Sequence, residues 1–162
     1  MRAVRVCFVF VLAAAPTAAA APVPAMLPVP RPLLTVDFTN TILFCEDAKA
    51  MLLKQGGGTL CVFSSVAGDR GRAKVAIYGA AKAGLTHYLE GLDSRHHGQG
   101  LRVICVKPGF VRTSMTHGLP EPPFASDPAA VASVVLRAID AGAPVVYATP
   151  IWRWVMMVIR WL

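Results

Sequence analysis

The sequence predicts an α/β fold with parallel strands joined by helical crossovers. Two observations carry this. Helix-like and strand-like segments alternate from Leu34 onward. The strand-like segments are continuous apolar runs, as strands buried on both faces require. The 162-residue length allows about one domain. Apolar residues make up 55% of the chain and charged residues 15%, with mean hydropathy +0.53. Those values exclude a disordered polar chain and exceed the usual apolar share of a water-facing domain.

Residues 1–34 differ from the rest. MRAVR, then VCFVFVLAAA, then TAAAAPVPA has the basic start, apolar stretch and small residues of a leader. The apolar stretch is too short for a spanning helix. A start codon placed in the wrong frame gives the same Ala/Pro-rich composition, so both readings stand for 1–34. Residues 35–150 carry the fold. Thr39 to Lys54 has apolar residues at helical spacing (Ile42, Leu43, Ala48, Met51, Leu52), and Gln55-Gly56-Gly57-Gly58 ends it. Thr59-Leu60-Cys61-Val62-Phe63 is a buried strand, and Ser64 to Val75 a polar loop. Ile77 to Leu92 is a helix, broken by Gly98-Gln99-Gly100. Leu101 to Val106 is a second buried strand, stopped by Pro108-Gly109. Asp127 is placed to cap a helix that starts at Pro128 and runs to about Ala141. Val145 to Ala148 is a short third strand. Residues 151–162, IWRWVMMVIRWL, form an apolar C-terminal helix with Arg153 and Arg160 on one narrow stripe.

The net charge of +7 does not mark a nucleic-acid surface. Five basic residues and no acidic ones lie in 1–34 and 151–162, leaving eleven basic and nine acidic side chains between them. No dense Lys/Arg cluster tracks a phosphate backbone, so no nucleic-acid partner is expected. Cys7, Cys45, Cys61 and Cys105 are widely spaced without a C-x-x-C, which reads as buried thiols in a reducing compartment. His87, His96, His97 and His117 have no metal-ligand spacing, and no metal is expected. Arg70, Arg72 and Lys74 read as a solvated loop, with a substrate-phosphate role as the alternative.

Three features fall at the C-terminal ends of the strands, where open α/β sheets bind ligands. They are Ser64-Ser65, Tyr78-Gly-Ala-Ala-Lys82, and Pro108-Gly109-Phe110-Val111-Arg112-Thr113. Tyr78 and Lys82 are four apart and share a helix face. A phenol with pKa about 10 is a poor base at neutral pH, and a neighbouring ammonium lowers that value. Tyr78 could then take a proton from an alcohol or give one to a carbonyl. Ser65 could hold the same substrate oxygen, and Lys82 could also reach ribose hydroxyls.

TLCVFSSVAGDRG, YGAAKAGLTHYLEGL and LRVICVKPGFVRTSM together resemble the second half of a short-chain dehydrogenase/reductase. The resemblance covers about Leu34 to Ala148. It implies half of a doubly wound Rossmann sheet, NAD or NADP as cofactor, and a secondary alcohol or ketone as substrate. It implies that Ser65 orients the substrate oxygen, Tyr78 is the acid/base, and Lys82 binds the nicotinamide ribose. Pro108, Gly109, Val111 and Thr113 would line the nicotinamide. The sequence is similar in particular to bacterial members acting on lipid-linked or other bulky apolar substrates. Met115 to Phe124 stands where the family has its substrate loop, and its Pro-rich composition suits a lid.

The departures are as specific. Residues 1–55 contain no Gly, so the Gly-rich pyrophosphate turn has no counterpart there. The family's V-N-x-x-G is Val36-Asp37-Phe38-Thr39-Asn40, with Asp37 at the Asn place. An oxidoreductase is therefore the first expectation, and a truncated, inactive product with poor cofactor affinity the second. A cytoplasmic location follows from the cofactor pool; the leader reading of residues 1–25 would instead make the protein exported or membrane-anchored. The family often pairs its long helices across two-fold interfaces, so Thr39–Lys54 and Ile77–Leu92 are candidates for a homo-oligomer contact. The C-terminal helix is expected to pack on its own domain or to lie on a bilayer surface.

Overall fold

The computed structural model describes residues 6–9 and 31–161. Of the leader-like residues 1–25 only Val6–Val9 are among them, and the rest lie outside. Strands β1 (Val6–Val9), β2 (Gly58–Phe63), β3 (Leu101–Lys107) and β4 (Val145–Tyr147) form one parallel sheet in the order β1-β2-β3-β4. Strand β1 is an addition to the sequence reading, which began the sheet at Thr59. Part of the apolar stretch after Arg5 pairs with β2, from Val6 beside Thr59 to Val9 beside Val62. Its β-branched and aromatic residues suit a strand, and the free edge of β2 offers it a ladder.

Helices α1 (Arg31–Leu34), α2 (Thr41–Lys54), α3 (Ala76–His96), α4 (Pro128–Ala141) and α5 (Ile151–Trp161) complete the chain. The bounds of α2, α3 and α4 agree with the periodicity, α3 running one turn further. One core lies between the sheet and helices α2 and α3, where Cys45, Leu52, Leu60, Val62, Leu85, Leu89 and Val103 pack. A second lies beneath α4, with Cys61, Ile104, Val106, Val131, Val135 and Ile139. Neighbouring strand residues serve opposite faces, so both faces of β2 and β3 are covered. This explains the unbroken apolar runs.

The join between α1 and α2 was not legible as a separate element. Thr35–Asn40 winds as a π-helical turn, and the Thr41 hydroxyl donates to the Val36 carbonyl five residues back at 2.9 Å. A π turn is wider than the α-helix on either side and redirects the side chains it carries. The expected Asp127 side-chain cap on α4 is corrected. Asp127 stands at the cap position without a capping bond, because its carboxylate accepts from Arg112 Nη1 at 3.0 Å.

Candidate active site

The loop after β2 is drawn onto α3 by short contacts. Ser64 Oγ donates to the Lys82 carbonyl at 3.0 Å and lies 2.7 Å from Thr86 Oγ1. Gly68 sits so close to α3 that a Cβ there would stand 2.7 Å from Lys82 C and Ala83 N. The loop after β3 joins the same place, since the Val66 amide donates to the Pro108 carbonyl at 3.1 Å. Three segments that are remote in sequence therefore converge at the C-terminal ends of β2 and β3.

Ser65 is buried and extended, and its hydroxyl accepts from the Ala67 amide at 3.1 Å. The Tyr78 phenol lies near enough to Ser65 for the serine side chain to act on its pKa. Lys82 Nζ stands 5.7 Å from the Tyr78 ring centre. Its side chain is almost sealed and meets two oxygens, Asp37 Oδ1 at 3.2 Å and the Phe63 carbonyl at 3.4 Å. The Tyr78 pKa is pushed above its ordinary value, chiefly by burial. Ser65 pulls it down and Asp37 pushes it up. The expected lowering by Lys82 is therefore corrected: burial dominates, and the ammonium is already paired with a carboxylate.

Of the residues expected to line a nicotinamide, Gly109 is the one set against α5. A Cβ on Gly109 would fall 2.1 Å from Trp152 Nε1, so only glycine admits the indole there. That indole N–H is buried without a partner, and the ring meets Phe124 edge-on at 6.2 Å. Val111 pairs with Ser126 as an isolated bridge. Thr113 lies further out and exposed, with its amide donating to Thr116 Oγ1 at 2.9 Å. The structure thus brings Ser65, Tyr78, Lys82 and Pro108 together and sets Gly109 under Trp152, with Thr113 outside the cluster. Arg70 is exposed on its loop. It donates to the Ile159 carbonyl at 3.0 Å and ties the loop to α5.

Two features escaped the sequence reading. Asp37 reaches Lys82 across the π turn. Lys107, Asp69 and Tyr147 form a buried cluster beneath the site. In it Lys107 Nζ donates to Asp69 Oδ1 and Tyr147 Oη to Asp69 Oδ2, each at 2.8 Å. A lysine ending the buried run of β3 was the available signal, because a charge in such a place demands a partner.

A cofactor can be tested against these side chains. The Lys82 ammonium and the unpartnered Trp152 indole N–H suit the polar edge of a nicotinamide riboside. Residues 10–30, which follow β1, contain no glycine for a pyrophosphate turn. The donors present fit the nicotinamide half of a dinucleotide.

Fold and site define a Rossmann-type α/β protein with a Ser–Tyr–Lys cluster at the carboxyl ends of its strands. A model of the short chain dehydrogenase family matches residues 30–123, and the chain belongs to that family. An uncharacterised oxidoreductase of Mycobacterium tuberculosis is 37% identical over 115 residues, which are 71% of this chain and 46% of the relative. Carbonyl reductase family member 4 of Xenopus tropicalis is 37% identical over 91 residues, 56% of this chain and 39% of the relative. A short chain dehydrogenase of Burkholderia cenocepacia, solved in complex with NADP, superposes with TM-score 0.70 at 25% identity, covering 80% of this chain and 53% of that one. Another from Escherichia coli, complexed with NADPH, gives TM-score 0.66 at 25% identity, with 78% and 56% covered. The chain spans about half the length of the curated relatives it matches.

Proposed function

We propose that the chain carries the catalytic side of an NAD(P)-dependent oxidoreductase site that interconverts a secondary alcohol and a ketone. The observation that carries this reading is the juxtaposition of Ser65, Tyr78 and Lys82, with Lys82 Nζ 5.7 Å from the Tyr78 ring centre. The nicotinamide would supply or accept the hydride. Ser65 would hold the substrate oxygen, and Tyr78 would give it a proton in reduction or take one in oxidation. Lys82 would donate to the ribose hydroxyls. The Burkholderia and Escherichia structures hold NADP and NADPH. Comparing the two cofactors on this chain decides between NAD and NADP. Phe124 and Trp152 at the rim favour a bulky, apolar, lipid-like substrate. Buried thiols at Cys45, Cys61 and Cys105 favour the cytoplasm. The test is Tyr78→Phe in a chain that turns over a ketone with reduced nicotinamide. Turnover should fall by at least about a hundredfold while cofactor binding persists. Retained turnover refutes the role of Tyr78.

A second reading concerns α5. Trp154, Met157, Val158 and Trp161 are exposed on it, and Arg153 is exposed beside them. Among the described residues no helix is long and apolar enough to cross a membrane. The apolar face and flanking arginine favour shallow contact with a bilayer surface, from which an apolar substrate would reach Tyr78.

A further inference from the structure

The π turn gives Asp37 a place that regular helix would not. Phe38 lies across α3 at Gly84, where a Cβ would stand 2.8 Å from Phe38 Cε2. With Phe38 seated there, its neighbour Asp37 turns to Lys82 and meets the ammonium at 3.2 Å, with both side chains largely buried. We propose that Asp37 is a positioning residue whose carboxylate neutralises Lys82, so that the site holds Tyr78 ready to donate a proton and favours carbonyl reduction. This rests on the reading of Tyr78 as the acid/base.

The electrostatics follow from the groups present. Lys82 alone would stabilise a phenolate at Tyr78 and favour proton abstraction from an alcohol. The Asp37 charge opposes that at close range in a poorly solvated site, where neither charge is well screened. Among the described residues, Asp37 is the charged group that acts on Tyr78. Ser65 and the Phe63 carbonyl are neutral, and Arg31 on α1 is exposed. Asp69 and Lys107, on the adjoining loop and strand, are spent on each other. In the favoured direction reduced nicotinamide, when bound, would supply a hydride to the carbonyl carbon, and the carbonyl π electrons would move to oxygen. That oxygen takes the Tyr78 proton, and the phenolate left behind recovers one from solvent.

The experiment titrates Tyr78 directly in the purified chain, by phenolate absorbance of the parent minus that of Tyr78→Phe, without cofactor. Asp37→Asn keeps the acceptor for Lys82 and removes the charge. The Tyr78 transition should then move to lower pH by on the order of one unit. Asp37→Glu restores the charge and should titrate close to the parent. Asp37→Ser, also neutral, should reproduce the Asn result and serves if Asn disturbs the π turn. A Tyr78 transition that stays or moves upward in the neutral variants overturns the inference. That failure is separate from failure of the Tyr78 assignment, which shows only as turnover surviving Tyr78→Phe.

Discussion

Removing one member of the Lys107–Asp69–Tyr147 cluster should cost the chain a large share of its stability. Lys107 and Asp69 side chains are 2% and 1% exposed, with 2.8 Å between Nζ and Oδ1. At that separation two unit charges attract by about 6 kcal/mol for an effective dielectric near 20. Burial costs several kcal/mol per ion, so the intact pair adds little net stability. A broken pair is another matter, since Asp69→Asn leaves a sealed ammonium without its counter-charge. The expected loss is about 3–5 kcal/mol. In a chain of this size that lowers Tm by roughly 6–20 °C. Urea unfolding followed by circular dichroism measures it. The triple variant Asp69→Leu, Lys107→Met, Tyr147→Phe, which removes every polar member, should lose less than Asp69→Asn alone. A loss below about 1 kcal/mol for Asp69→Asn would refute the reasoning, as would single losses that simply add in the triple.

Burial pushes the Cys61 thiol up to about 12 and the Cys105 thiol to about 11, from 9.0. A raised folded value means the fold prefers the protonated thiol, so this contribution is whole below pH 9 and is lost as pH climbs toward 11 and 12. Urea midpoints should therefore fall above pH 9, and alkylation by iodoacetamide near neutrality should be far slower than in the unfolded chain. Equal alkylation rates would contradict the burial. The bilayer reading of α5 predicts that the chain pellets with anionic lipid vesicles at low salt and that Trp154→Ala with Trp161→Ala weakens this; no pelleting of the parent removes it.

Much of the site was legible because its signals are local. The four-residue step from Tyr78 to Lys82 fixes a shared helix face, and an apolar run ending in Ser-Ser or Pro-Gly marks the end of a buried strand. The Asp37–Lys82 contact was not legible, since it depends on a π turn that no short pattern announces. Asp69, Lys107 and Tyr147 are separated by 38 and 78 positions from the partners they meet, and periodicity carries no information across such distances. Strand β1 was missed because a short apolar run after basic residues has the same composition in a leader as in an edge strand. The Asp127 cap failed for a related reason: a capping position predicts an acceptor, but not that a guanidinium fifteen residues earlier will claim it.

All three tryptophans of the chain belong to α5. Its intrinsic emission therefore originates from a single helix. Trp152 is half-buried against Gly109, whereas Trp154 and Trp161 face solvent. Emission from the first should lie to the blue of the other two. Because reduced nicotinamide absorbs where indole emits, a ring bound near Gly109 would quench this emission by energy transfer. The molecule thus contains a built-in optical ruler for ligand arrival, readable without labels and without turnover.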